Sequence, residues 1–371
     1  MRPSWVEIDL DAIRDNTAAI ARAVAPARAC AVVKADGYGH GDVPAAHAAI
    51  AGGARWLAVA LLEEGRRLRD AGIDVPILLL SECTPDDAAE VVALQLVPTV
   101  YRAALVEALA GASAASAAAP LPVHLKVNTG MHRVGADPVD AVPLARRIAQ
   151  DEHLDLQGLW THFAVSEEDT EFTTSQTAAL GAFRMSLAAE GIDVPVLHAA
   201  NTAAALEYPG ARFDLVRVGL GIYGMRPAPH VGRDIYLRPA MRVVSRVSMV
   251  RRLRAGERPS YGRRRPMPAE GIVATVPIGY ADGVARLLPD RSGVVLIRGN
   301  RYPYAGAVTM DQVMIDVGED PIDVGDEVVL LGSQGEDTIT AEEWGDWLNT
   351  INYEIVCRFG PRLPRRYRGL S

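Results

Sequence analysis

The chain has 371 residues, too many for one small core, so length alone predicts a large domain with a smaller companion. Its 49% hydrophobic and 23% charged residues describe an ordinary globular protein, and a net charge of -8 argues against nucleic acid as the main partner. The first nine residues carry no apolar signal core, and no later run reaches membrane-spanning length, so no membrane partner is expected. Cys30, Cys83 and Cys357 are odd in number, far apart and without CxxC spacing. They predict reduced thiols in the cytoplasm, with neither a disulfide frame nor a zinc site, and no metal is expected.

A helix near Asp11–Val24 opens the chain as an N-terminal addition. Strands are then predicted at Cys30–Val33, Trp56–Ala60, Ile77–Leu80, Leu96–Val100, Val123–Val127, Leu156–Thr161, Pro195–His198 and Asp214–Val218. Helical patterns such as Leu61–Ala71, Asp86–Leu94 and Thr174–Glu190 lie between them. Eight strands that are apolar throughout and alternate with helices predict a parallel sheet closed into a (β/α)8 barrel over residues 1–238. The alanine-rich stretch Ala103–Ala119 reads as helix in its first part and as a mobile connection from Gly111.

From about Pro239 the pattern changes. Met241–Leu253, Gly271–Pro277, Val294–Arg298, Val313–Val317 and Glu327–Leu331 read as strands separated by turns, with a helix at Ala341–Leu348. This predicts a mostly antiparallel β domain over 239–371. Its arginine-rich close, Arg358 to Arg368, reads as solvated surface.

In a barrel, function gathers at the carboxyl ends of the strands. There the sequence places Lys34, then Lys126-Val-Asn-Thr-Gly-Met-His-Arg133, then Trp160-Thr161-His162-Phe163, then His198-Ala-Ala-Asn201-Thr202, and finally Arg217-Val-Gly219-Leu220-Gly221. A lysine ending a buried strand suits imine formation with a carbonyl compound, because burial lowers an ammonium pKa and frees the lone pair. Asn201, Thr202, Gly219 and Leu220 follow the last two strands, where barrels often bind phosphate, and Tyr38 could add a phenolic donor. Carbonyl chemistry beside a phosphate site suggests pyridoxal phosphate. Arg217 is the candidate partner of its ring nitrogen. An arginine cannot give up its proton there, so that nitrogen stays unprotonated, which suits simple proton exchange over deeper carbanion chemistry.

At this point the chain resembles the alanine racemase family, nearly end to end. The resemblance rests on Trp5-Val-Glu-Ile-Asp-Leu, Ala31-Val-Val-Lys-Ala-Asp-Gly-Tyr-Gly-His-Gly, Asn128-Thr-Gly-Met-His-Arg-Val-Gly and Thr161-His-Phe-Ala. It continues through Val216-Arg-Val-Gly-Leu-Gly-Ile-Tyr-Gly, Ser260-Tyr-Gly, Ile278-Gly-Tyr-Ala-Asp-Gly, Thr309-Met-Asp-Gln and Thr350-Ile-Asn-Tyr-Glu. One such motif is weak; their shared order is highly specific.

The resemblance implies that Lys34 holds the cofactor and then serves as one acid/base, with Tyr261 as the second base on the opposite face. Inversion needs two bases because the proton leaves one face and returns to the other. It implies that His162 lies near Tyr261, with Arg217 beyond. It implies that Tyr261, Met310 and Asp311 reach the lysine of a partner subunit in a head-to-tail homodimer. Arg133 is implied to contact the cofactor and help place the substrate carboxylate, Tyr353 to bound the pocket near the phosphate, and Tyr280 with Arg286 to line the entrance. Lys126 matches a lysine that is carbamylated in some members. The expected activity is interconversion of L- and D-alanine, supplying D-alanine for peptidoglycan. A racemase of serine or of a broader amino-acid range, a decarboxylase on a similar barrel, and a bare cofactor carrier are the alternatives. Ala307 stands where many members have arginine, Glu167 where an entrance aspartate is common, and Thr202 replaces a usual serine.

Overall fold

The computed structural model of the protein describes residues 2–116 and 119–370. The chain divides into two compact units: Ala12–Gly37 with Asp42–Arg238, and a second unit made of the segment up to Asp11, Tyr38–Gly41 and the chain from Pro239 on.

The opening strand β1 (Trp5–Asp9) belongs to the second unit; the first holds β2 (Arg28–Val32), β3 (Trp56–Val59), β4 (Ile77–Leu79), β5 (Val97–Val100), β6 (Leu121–Lys126), β7 (Leu154–Trp160), β8 (Val196–His198) and β9 (Leu215–Val218). Every ladder among β2 to β9 is parallel, in the order β8-β7-β6-β5-β4-β3-β2-β9. The amides of Asp214 and Arg217 donate to the carbonyls of Leu197 and Ala200 at 3.0 and 2.9 Å, which closes the ring between β8 and β9. The expected (β/α)8 barrel is therefore present. Its strands are mostly apolar because both faces are covered, by the barrel interior and by the surrounding helices, with His124, Gln157 and Arg217 among the polar exceptions. Asp42–Ala51, Leu62–Asp70, Pro138–Gln150 and Thr170–Ala189 are among those helices.

Two expectations need correction. Gly111–Ser116 is not a mobile connection but the last part of a continuous helix, Ala103–Ser116. Alanine is the strongest helix former and outweighs one glycine. Residues 117–118 of that stretch lie outside the described residues. In addition, β2 ends at Val32, two residues before Lys34.

In the second unit, β10 (Met241–Arg246) and β11 (Met249–Leu253) replace the single strand expected over Met241–Leu253, and they belong to different sheets. The remaining strands are β12 (Gly271–Val276), β13 (Val294–Ile297), β14 (Asn300–Pro303), β15 (Val313–Gly318), β16 (Glu327–Gln334), β17 (Asp337–Ile339) and β18 (Arg365–Arg368). One sheet runs β14-β13-β16-β10-β1-β18 with β17 against β16; the other is β11-β12-β15. All pairs are antiparallel except β1 with β18. The arginine-rich tail is thus partly an edge strand, with Arg366, Tyr367 and Arg368 exposed. Met267, Val273 and Ala305, with Leu253 and Met314 packed against them, form a small core here. Among the described residues no helix is long and apolar enough to cross a membrane.

Candidate active site

Lys34 opens a short left-handed turn. Ala35, Asp36, Gly37 and Tyr38 have φ of 53°, 54°, 59° and 54°. A left-handed run of L-residues costs about 1–2 kcal/mol per residue, so something must hold it. The buried carboxylate of Glu64 does: one oxygen accepts from the Ala35 amide at 2.7 Å, the other from Ala60 and Leu61 at 2.8 and 3.1 Å. The Gly37 amide donates to the Val33 carbonyl at 2.9 Å, and the Asp42 amide to Asp36 Oδ1 at 3.2 Å.

Behind this turn lies a cluster of basic side chains without a carboxylate. Arg217 is buried on β9, and no carboxylate is among its partners in the described residues. Its guanidinium donates to His198 Nδ1 at 2.8 Å, to the carbonyls of Thr161 and Ala199 at 2.9 and 2.8 Å, and to His162 Nδ1 at 3.2 Å. It also lies 4.4 Å from the centre of the Trp160 ring. Burial pulls its pKa down to about 10, with a small opposing effect from Cys30, so it stays cationic at neutral pH. Lys126 is buried at the end of β6, its ammonium nitrogen 4.0 Å from the Trp160 ring centre. Burial first, then Arg217, Arg133 and Lys34, lower its pKa to about 7. Burial and the same cations hold His162 well below its ordinary value, so it is a neutral imidazole.

Arg133 is exposed on the loop after β6. That loop is braced by Asn128, whose side chain accepts from the Gly130 and His132 amides at 3.1 Å each and donates to Asp137 at 2.8 Å. Thr129 and Thr161 share a hydrogen bond of 2.7 Å. After β8, Asn201 caps the helix Thr202–Glu207 by accepting from Ala204, and Ser166 donates to the same oxygen, both at 3.0 Å. The Gly219 and Gly221 amides do not point outward as free donors; they turn to the buried Thr202 hydroxyl oxygen at 3.2 and 3.5 Å. The Thr202 hydroxyl proton is left as the donor of that group. Leu220 is buried behind it. A Cβ at Gly221 would meet Thr202 Cγ2 at 2.8 Å and Ile20 Cδ1 at 2.9 Å, so only glycine lets this loop lie so close.

The other expected residues lie in the second unit. The rings of Tyr38 and Tyr353 are 6.3 Å apart, and burial raises the Tyr38 pKa above its ordinary value. Tyr261 stands on a short turn preceded by Ser260, whose hydroxyl donates to the Ala307 carbonyl at 2.8 Å. Tyr280 and Ala281 donate their amides to the carbonyls of Thr309 and Met310 at 2.9 and 3.1 Å, so these three loops are tied together. Arg286 lies 5.9 Å from the Tyr280 ring centre. Asp311 pairs with Arg362 at 2.6 Å. Arg362 also reaches the buried Asp282 at 3.4 Å, which accepts two hydrogen bonds from Arg2, at 2.9 and 2.6 Å.

The alanine racemase N-terminal domain model matches residues 8–227, and the corresponding C-terminal domain model matches 240–367. The alanine racemase of Symbiobacterium thermophilum is 44% identical over all of this chain and 98% of its own length; that of Desulfovibrio desulfuricans is 42% identical over 99% and 98%. The crystal structure of the alanine racemase from D-cycloserine-producing Streptomyces lavendulae superposes with a TM-score of 0.95 at 36% identity, covering 100% of this chain and 98% of that one. The chain belongs to the alanine racemase family.

Within this alanine racemase frame, three residues were not anticipated as contributors: Glu64, His124 and Gln157. Glu64 acts across 29 positions, so no local motif reveals it. His124 carries a detectable signal, a polar residue inside the otherwise apolar core of β6. Ala307 borders a cavity of about 140 Å³ whose lining includes Arg264, Arg265, Arg286 and Asp290.

Proposed function

We propose that the chain interconverts L- and D-alanine with pyridoxal phosphate, by two bases on opposite faces of Cα, and supplies D-alanine for peptidoglycan. The observation that carries this reading is Arg217: a buried cation held entirely by neutral acceptors, on the same barrel rim as a lysine presented by a strained turn. The donor set fits the cofactor. Thr202, with Asn201, Gly219 and Leu220 beside it after the last two barrel strands, suits a phosphate. When bound, the cofactor supplies a carbonyl that condenses with amines and a ring that takes up charge from Cα.

Lys34 would hold the cofactor through its amine and, once released by the substrate, would move a proton on one face of Cα. The partner subunit's Tyr261 moves the proton on the other face, which makes each site a property of a head-to-tail homodimer. Arg217 would face the ring nitrogen and, keeping its proton, would leave that nitrogen unprotonated, which would favour return of the proton to Cα. His162, neutral and bonded to Arg217, links that cation to the tyrosine side of the site. Arg133 would help hold the cofactor and place the substrate carboxylate. Lys126, partly unprotonated near pH 7, is the candidate for carbamylation and orients Arg133. Met310 and Tyr353 would leave room for a methyl side chain, Asp311 would reach the substrate beside Met310, and Tyr280 with Arg286 would form the entrance. Exposure of 77% at Tyr261 and 53% at Met310 supports a surface that a second chain covers. The free cysteines fit a reducing cytoplasm.

The purified protein should absorb at about 420 nm, as lysine-bound pyridoxal does, and borohydride should fix the label on Lys34. Solvent deuterium should enter Cα of alanine as the enantiomers interconvert. Label on another lysine, or carbon dioxide release without exchange, would overturn the reading; the second result would favour the decarboxylase. A panel of enantiopure amino acids separates an alanine enzyme from one for serine or a broader range.

A further inference from the structure

Four polar side chains form a line through the interior of the barrel. Arg217 donates to His198 Nδ1 at 2.8 Å, His198 Nε2 lies 2.9 Å from His124 Nδ1, and His124 Nε2 lies 3.4 Å from Gln157 Oε1. Both imidazoles are fully buried. The direction of the line follows from its ends. A guanidinium only donates, so His198 Nδ1 accepts and its ring proton sits on Nε2. His124 Nδ1 must then accept, and the His124 Nε2 proton faces the amide oxygen of Gln157. Every contact is satisfied in this one arrangement.

The sequence is shaped to allow it. His124 is on β6 and His198 on β8, with β7 between them. The residue opposite His124 on β7 is Gly158, and a Cβ there would lie 2.4–2.5 Å from the His124 ring atoms. Glycine at this register lets the ring cross to β8. Trp160 then stacks on His198, ring centres 5.4 Å apart and planes 9° from parallel.

We propose that His124 is a positioning residue for Arg217, acting through His198, and that Gly158 exists to admit it. With the other tautomer, His198 would turn an N–H toward a guanidinium N–H and release that end of Arg217. His124, by accepting at Nδ1, keeps the proton on the far nitrogen. The consequence for catalysis rests on the proposed contact of Arg217 with the cofactor ring. Burial lowers the His124 pKa to about 4 and holds His198 well below its usual value, which agrees with two neutral rings.

The test is nitrogen-resolved NMR of the full chain labelled on histidine, with and without cofactor. At pH 7 both His124 and His198 should be neutral Nε2–H tautomers. His124→Phe should shift His198 to mixed tautomers, alter the pH profile of the cofactor absorbance and lower kcat by about 10-fold with KM changed less than twofold. Gly158→Ala alters no hydrogen-bonding group and should reproduce this. His124→Gln, which keeps an acceptor oxygen, should restore most of kcat. An Nδ1–H tautomer of His198 in the wild-type protein, or an unchanged His198 signature in the folded His124→Phe or Gly158→Ala variant, would overturn the inference. The tautomers are read even without cofactor, so correct tautomers with no 420 nm band would overturn only the reading of the site.

Discussion

Lys126 is a case where burial decides a residue's charge. Its pKa of about 7 in the folded chain lies well below the ordinary lysine value of 10.5, first because of burial and then because of three neighbouring cations. Between those two values the unfolded chain binds the proton and the folded chain does not, so stability rises with pH across that window. Lys126→Met removes the group from both states. In carbon dioxide-free buffer, urea unfolding should show the wild-type protein gaining about 2 kcal/mol relative to Lys126→Met between pH 7 and pH 9. A constant difference between the two proteins would show that Lys126 is not titrating there. The lysine itself was legible in the sequence as the start of a loop motif. Its electrostatic setting was not, because Arg217 and Lys34 lie about 90 positions away on either side.

At the scale of elements, the loops after β8 and β9 act together through a single hydroxyl. Thr202 accepts from the Gly219 amide, and Gly221 passes so close to Thr202 that an added methyl must displace it. Gly221→Ala should therefore cost about 1–3 kcal/mol in urea unfolding, as overpacking does. It should also weaken pyridoxal phosphate binding by about 10-fold in a fluorescence titration; full retention of affinity would separate this cradle from the phosphate. Barrel strands were legible to within one or two residues, since an element covered on both faces is apolar throughout. β14 and β18 were missed because Asn300–Pro303 and Arg365–Arg368 are mostly exposed strands with polar side chains. Their strand character comes from β13 and β1, whose backbones they pair with.

The whole molecule is where the two-base proposal meets its sharpest test. In a head-to-tail dimer the Lys34→Ala chain still offers Tyr261, and the Tyr261→Phe chain still offers Lys34. Each variant alone should lose at least about 1,000-fold in rate, since each lacks one base. Equal mixing with subunit exchange should restore about one quarter of wild-type activity, because half the dimers are mixed and each has one intact site. No recovery after demonstrated exchange would mean that lysine and tyrosine serve the same site from one chain.

Sequence alone was enough for the architecture and for the family, because barrel strands advertise themselves by largely apolar character and motifs by their order along the chain. It was also enough to nominate Lys34, Arg217 and the phosphate loops, whose chemistry belongs to the residue types. Only the tertiary structure decided how those residues are held. The left-handed turn at Lys34 is braced by Glu64, Arg217 is secured without a carboxylate, and His124 reaches His198 over Gly158. These contacts join residues far apart in the sequence, from helix to turn and across the barrel interior. Local pattern carries no record of such distances.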